Sequence, residues 1–259
     1  MGSENAQYEL IYPPYAPGRA EHIRLILEEI GNPYSDTTVL GWDPAFAQIR
    51  ELLKGVQGNP PYFAPPLLRH GDLILNQTSN ILMYIGGRHN LAGNTPADAF
   101  RVNALACTAL DLLSDEVHAT HHPINGQLYY EEQKKESVWA SKAFIKIRMP
   151  KFFDYWQRTL EAKGGLWLMG ETFTYADIVL CQCIDGTKFA FPRAMDYFEK
   201  TGKYDLIYEH WAKVRARPNI AKYLASDKRQ EYDNGIYRYY PENDVTPEEA
   251  ECEKPADGN

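Results

Sequence analysis

Cysteine is scarce in this chain of 259 residues: four occur, Cys107, Cys181, Cys183 and Cys252. None of them has the paired spacing of a zinc site or a dithiol redox centre. That excludes a disulfide framework, and the thiols are expected to be reduced, in a cytoplasmic protein. Long apolar runs are missing too; a bilayer-spanning helix needs roughly 20 consecutive apolar residues. Residues 1–8 are polar and acidic rather than basic and then apolar, so no secretory leader is expected. Basic residues are in deficit, 27 against 35 acidic, for a net charge of −8. A chain of that sign is not expected to take nucleic acid or an anionic membrane as its main partner. No internal repeat occurs. What the chain does have is 44% hydrophobic residues, a core for one large domain or two ordinary ones.

The first ninety or so residues alternate strand and helix signals. Tyr8-Glu9-Leu10-Ile11-Tyr12 reads as a strand stopped by Pro13 and Pro14. A helix opens at Gly18 and Arg19, with Ile23, Ile26, Leu27 and Ile30 on one face and Gly31 as its terminator. Val39-Leu40 is a candidate second strand. Leu67-Leu68 and Leu73-Ile74-Leu75 flank His70-Gly71-Asp72 as a hairpin, and a helix burying Ile81, Leu82 and Ile85 ends at Gly86-Gly87. Strand, helix, strand, hairpin and helix make a small α/β domain over residues 1–93.

After the linker Gly93-Asn94-Thr95-Pro96 the pattern turns all-helical, over residues 97–240. Helices are expected at 97–118, with Val102, Leu105, Ala109, Leu112 and Leu113 inward, and at 137–163, with Phe152, Phe153, Trp156 and Leu160 buried and a kink or restart at Pro150. Further helices are expected at 175–190, 205–216 and 218–226. Thr174-Tyr175-Ala176-Asp177 fits a capping box, with Phe173 and Ile178 as its hydrophobic staple; losing the Thr174 cap should cost about 1 kcal/mol. The tail, 241–259, sets Glu242, Asp244, Glu248, Glu249, Glu251, Glu253 and Asp257 against Lys254 and is expected to be disordered.

Taken in order, residues 8–24, Ala64-Pro65-Pro66-Leu67-Leu68, residues 71–84 with Gln77-Thr78, residues 150–160, residues 170–180 with the capping box, and Arg217-Pro218-Asn219-Ile220 through Arg229 resemble the cytosolic glutathione transferases. The resemblance runs over residues 8–228. It implies a thioredoxin-like N-terminal domain, an all-helical C-terminal domain, glutathione as co-substrate or cofactor, a small-molecule electrophile as second substrate, and a homodimer.

Glutathione is a peptide with two carboxylates, so its site must offer extended backbone pairing and anion receptors. Gln77 and Thr78 lie just before a helix, where free N–H groups and the helix dipole favour a carboxylate; in similar proteins such a pair holds the γ-glutamyl group. Pro66, eleven residues before Gln77, falls where the family has a cis-proline that exposes backbone to the cysteinyl part. Pro65 departs from the family pattern, since it has no N–H to donate there. Trp42 and Lys54 match residues that meet the glycyl carboxylate, and Arg19 reads as structural.

Catalysis in the family stabilises the thiolate, and a hydroxyl beside a helix N-terminus lowers the thiol pKa. Tyr12 stands where tyrosine-type classes place that hydroxyl, and Tyr15 where serine-type classes do. The loop is one residue longer than the tyrosine type, so spacing leaves both open, with Tyr12 slightly ahead. No cysteine lies in this loop, against the thiol-reducing classes. The second substrate is expected against the helix around residues 105–130, with His118, His121 and His122 at the pocket or its rim. No carboxylate or cysteine completes a metal set there, and no metal is expected. The segment 232–240, carrying four tyrosines, either folds over that pocket or wraps the helices. Conjugation to an electrophile, glutathione-dependent cis-trans isomerisation, and non-catalytic glutathione binding all stay open; product that retains or releases glutathione separates the first two.

Overall fold

The computed structural model describes residues 7–14, 16–56, 58–111 and 116–251. The first half is a four-stranded sheet, β1 (Tyr8–Ile11), β2 (Tyr34–Asp36), β3 (Leu67–His70) and β4 (Leu73–Asn76), in the order β2-β1-β3-β4. β1 runs parallel to β2 and antiparallel to β3; β3 and β4 form the expected hairpin across His70-Gly71-Asp72. Three helices cover it: α1 (Glu21–Glu29), α2 (Trp42–Leu53) and α3 (Thr78–Arg88). Alternation along the strands sorts the faces. Leu10 and Leu68 join Ile23, Ile26, Ile81 and Ile85 of α1 and α3, whereas Ile11, Leu67 and Ile74 pack with Ile49 and Leu52 of α2.

Three expectations for this half are corrected. The second strand lies at Tyr34–Asp36, not at Val39-Leu40, which sit in a 3-10 turn and are exposed. Asp36 starts that turn by accepting from the Thr38 amide at 2.9 Å. Helix α2 was not expected, although Ala45, Ile49 and Leu52 recur on its buried face. Helix α3 continues through Gly86-Gly87 to Arg88; at Gly86 a Cβ would overlap the Tyr175 ring, so the glycine permits close helix packing instead of ending the helix.

The helical half begins at α4 (Pro96–Ala109), capped by Thr95 and Asp98 reciprocally, with Pro96 in its first turn. Leu110 and Asp111 take the wider π-helical winding, and α5 (Glu116–His121) runs past the expected end at 118; Leu112 and Leu113 lie outside the described residues. α6 (Lys134–Ala143) passes through a π-helical turn, Phe144–Arg148, into α7 (Met149–Ala162). Pro150 has no amide for the carbonyl one turn back, and the change of winding lies just before it. α8 (Tyr175–Ala190), α9 (Pro192–Lys200), α10 (Asp205–Arg215) and α11 (Pro218–Leu224) complete the half. Of these, α9 was not expected. Trp156, Phe153 and Leu160 of α7, Ile178 and Leu180 of α8, Val102 of α4 and Ile23 of α1 belong to one continuous core, so the two halves share it.

The Asp177 carboxylate takes the Thr174 amide at 2.7 Å and the Leu168 amide at 2.8 Å, and lies 3.0 Å from His210 Nε2. The expected capping box therefore also anchors the turn before α8 to α10.

The acidic tail is a further correction. Over residues 241–251 its charges are used: Asp244, fully buried, accepts from the Arg193 and Ala194 amides at the start of α9. Glu249 pairs with Arg193 at 2.6 Å, Glu242 with Lys134 at 2.5 Å, and Glu248 accepts from Tyr197. Composition pointed to disorder because it shows the charges without their partners. Glu253, Lys254, Asp257 and Cys252 lie outside the described residues. Among the described residues no helix is long and apolar enough to cross a membrane.

Candidate functional site

β1 delivers Tyr12 to the start of the first helix. The Tyr12 amide donates to Thr37 Oγ1 at 2.9 Å, and the same hydroxyl donates to the Tyr12 carbonyl at 2.8 Å. Past the loop, Gly18 takes φ +53 and packs so closely that a Cβ there would overlap the Tyr12 hydroxyl. The Arg19 amide donates to the Tyr12 oxygen at 3.2 Å. One lone pair of the phenol is thus used, and its own proton stays available to another acceptor. Burial raises the Tyr12 pKa above its ordinary value, opposed by the Arg19 amide and the Arg24 charge. The hydroxyl therefore stays protonated, and so a donor, at neutral pH. Tyr15, the other candidate, lies outside the described residues.

The turn from β4 into α3 forms the opposite wall. Gln77 adopts φ 66, ψ 121, one of two non-glycine residues with positive φ among the described ones. Such a conformation costs about 1–3 kcal/mol and persists where surroundings hold it, commonly at ligand sites. It turns the chain so that Thr78 and Ser79 open α3, whose first amides have no intrahelical partner. Thr78 Oγ1 donates to the Arg19 carbonyl at 3.4 Å, tying the two walls together. The Pro65-Pro66 bond is cis, as the resemblance to the family implied.

Between these walls lies a cavity of about 350 Å³, lined by Arg19, Pro65, Pro66, Gln77, Thr78 and Ser79, with Phe63 and Ala64 at one side and Cys107, Leu110 and Asp111 facing from the helical half. Of the sequence-stated candidates, Pro65, Pro66, Gln77 and Thr78 meet there, and Tyr12 adjoins it through Arg19. Trp42 and Lys54 are outside the lining: Trp42 is exposed against Phe46, and Lys54 pairs with Glu51 on the surface. Arg19 lines the cavity although it reads as structural in the sequence; its place at the first turn was the available signal. Cys107, Leu110 and Asp111 fall within the stretch 105–130 expected to face the second substrate, but nothing singled them out individually, since their facing depends on how the halves dock.

The lining brings together the N-terminus of α3, the Arg19 cation, the cis Pro66 turn and, from the helical half, the Asp111 carboxylate.

The three histidines cluster elsewhere. His118 and His121 ring centroids are 5.0 Å apart, His118 and His122 5.9 Å, and His121 Nδ1 meets His122 Nδ1. His121 Nε2 lies 2.9 Å from the Ile236 carbonyl, and burial lowers its pKa to about 3. None of the three lines the cavity described above. Among the described residues no group of His, Cys, Asp and Glu is placed to hold a metal ion. The tyrosine segment divides. Tyr232 and Tyr237 turn into the molecule, with Tyr237 seated over Gly186 of α8. Tyr240 stacks on Tyr130 at 3.7 Å, and Tyr239 is exposed.

Residues 118–227 match the family model described as glutathione S-transferase, C-terminal domain. The glutathione S-transferase of Plasmodium yoelii yoelii is 25% identical over 215 residues, 83% of this chain and 92% of that protein. Glutathione S-transferase A4 of Homo sapiens is 27% identical over 217 residues, 83% of this chain and 86% of that one. The Pi-class glutathione S-transferase of Onchocerca volvulus superposes with a TM-score of 0.64 at 20% identity, over 84% of this chain and 92% of that one. That likeness covers both the sheet half, which is thioredoxin-like, and the all-helical half. The fold, the family model and the relatives agree that the chain is similar to the cytosolic glutathione transferases.

Proposed function

We propose that the cavity binds glutathione and that the protein transfers it to an electrophilic, largely hydrophobic small molecule. The observation that carries this is the left-handed backbone of Gln77, which sets the α3 N-terminus across one cavity from the cis Pro65-Pro66 turn and the Arg19 wall. Gln77 and Thr78 hold the γ-glutamyl carboxylate, and the Pro66 backbone aligns the cysteinyl part. Pro65, having no amide proton, leaves one expected hydrogen bond unmade. Glutathione supplies a thiol, whose anion is the nucleophile. Tyr12 donates its hydroxyl proton toward that sulfur, and the Arg19 amide on its oxygen strengthens it as a donor. Leu110 and Phe63 give the apolar side against which the second substrate packs.

The same reading makes the protein a cytosolic homodimer. Free Cys107, Cys181 and Cys183 fit a reducing compartment, and exposed Phe63, Met83 and Phe100 offer apolar surface to a second copy; sedimentation equilibrium measures that state.

Calorimetry with glutathione, followed by ultraviolet titration of the bound thiol in wild type and Tyr12→Phe, tests the proposal. Binding is expected, with the thiol pKa lowered in wild type and returned toward its free value in Tyr12→Phe. Absence of binding overturns the proposal. Glutathione recovered unchanged after turnover would move the reaction to isomerisation at the same site.

A further inference from the structure

A file of charged groups runs from the segment after α11 to the loop beside Tyr12. Arg229, 17% exposed, lies beyond α11, and its Nη2 meets Asp185 Oδ2 at 2.6 Å. Its Nε stands 3.4 Å from Glu21 Oε1. Glu21 is wholly buried; its other oxygen takes Arg24 Nη1 at 3.2 Å, and the Tyr223 hydroxyl donates to both oxygens. Arg24, also buried, donates through the same Nη1 to the Pro17 carbonyl at 3.1 Å and through Nε to Asp36 at 2.6 Å. Pro17 precedes Gly18 and Arg19, and the Arg19 amide is the donor on the Tyr12 hydroxyl.

We propose that Arg229 is a positioning residue for the thiolate-stabilising hydroxyl, acting through Glu21 and Arg24 on the Pro17 carbonyl and so on the Arg19 amide that meets Tyr12. The inference rests on the reading of Tyr12 above. Arg229, Arg24 and Arg215 face Glu21, Asp36 and Asp185, so the charges of this network balance three to three. Without Arg229, Glu21 keeps Arg24 as its only cation among the described residues, and Arg24, whose Nη2 has no hydrogen-bond partner among those residues, is drawn further toward Glu21. The Pro17 carbonyl is the weakest of the Arg24 acceptors, being uncharged, and is the one released. The Pro17 carbonyl keeps the Glu21 amide at 3.1 Å and the Arg19 carbonyl keeps Thr78, so the loop loosens around the Arg19 amide without coming free. The segment after Arg229 also passes beside the loop: a Cβ added at Gly235 would come to 3.5 Å from Ala16 Cβ.

Arg215 supplies the control. It also pairs with Asp185, but it reaches Glu21 only through Asp185 and Arg229. The experiment measures the pKa of enzyme-bound glutathione and its binding constant in wild type, Arg229→Met and Arg215→Met, each shown folded by circular dichroism. Arg229→Met should raise the thiol pKa by about 0.5–1 unit, with glutathione affinity changed less than about threefold. Arg215→Met should leave that pKa at the wild-type value, and adding Arg229→Met to Tyr12→Phe should shift it no further. An unshifted pKa in folded Arg229→Met, or equal shifts in both arginine variants, overturns the inference. Should Arg229→Met fail to fold, Arg229→Lys serves: one ammonium cannot span Asp185 and Glu21, so a smaller rise is expected and a wild-type value overturns it. A wild-type protein that binds no glutathione, or leaves the bound thiol at its free pKa, sinks the glutathione reading and the inference with it.

Discussion

The hydroxyl of Thr37 clasps the backbone of Tyr12 from both sides, accepting from its amide and donating to its carbonyl. Thr37 is buried, so no solvent replaces those bonds when the hydroxyl is removed. Thr37→Val should cost about 1–3 kcal/mol of stability in urea unfolding. Thr37→Ser, which keeps the oxygen, should lose clearly less. Equal losses in the two would show that packing, not the clasp, holds the end of β1.

Pro65 stands in the cavity wall with no N–H to give. Pro65→Val restores a donor, and one neutral hydrogen bond is worth about 0.5–1.5 kcal/mol, so glutathione should bind roughly two- to tenfold tighter by calorimetry. Unchanged or weaker affinity counts against the placement of the cysteinyl part on this turn.

Gly186 lies under the Tyr237 ring, and a Cβ there would overlap it. Gly186→Ala should therefore lower stability by about 1–3 kcal/mol, as overpacking does. Combining it with Tyr237→Ala should give a loss smaller than the sum of the two, since the clash disappears with the ring. Additive losses in thermal melts would place the strain elsewhere.

Acid should destabilise the protein from about pH 6.5 downward, the ordinary histidine range. His22 is buried, with neither ring nitrogen hydrogen-bonded among the described residues, and burial plus the Arg19 charge lowers its pKa to about 3. Burial brings His121 to about 3 as well, against the opposing pull of the Ile236 carbonyl. Between pH 6.5 and 3 the unfolded chain binds protons at both rings and the folded chain does not, so unfolding becomes easier as pH falls. Each ring contributes on the order of 1 kcal/mol per pH unit in that window. Both imidazole resonances should stay flat from pH 8 to 5 in NMR titration; a midpoint near 6.5 in either would remove its share.

How much of this was legible in the sequence differs from residue to residue. The strand of Tyr8, the hairpin at Gly71, the face of Ile23 and Ile26, and the box of Thr174 and Asp177 are local, and period and turn chemistry expose them. Gln77, Thr78 and Pro66 were also accessible, because the site's polar end is built from one contiguous stretch. Helix α9 was missed: Phe191 at its N-cap gives no side-chain hydrogen bond, and the capping carboxylate comes from Asp244, fifty-one residues after Arg193. Phe63, Cys107 and Leu110 share a cavity only because the two halves share a core, and Trp42 and Lys54 lie outside its lining. Composition misjudged the acidic segment, since charge counts do not show that Arg193, Lys134 and Tyr197 wait for it.

That distant cap reaches into biosynthesis. The start of α9 cannot satisfy its amides until residue 244 has left the ribosome and swung back, so nascent chains halted earlier hold an open helix end and an unfilled groove over Gly186. The helical half is therefore a late folder during translation, and stalled or prematurely terminated chains should be selected by proteolysis at residues 190–200.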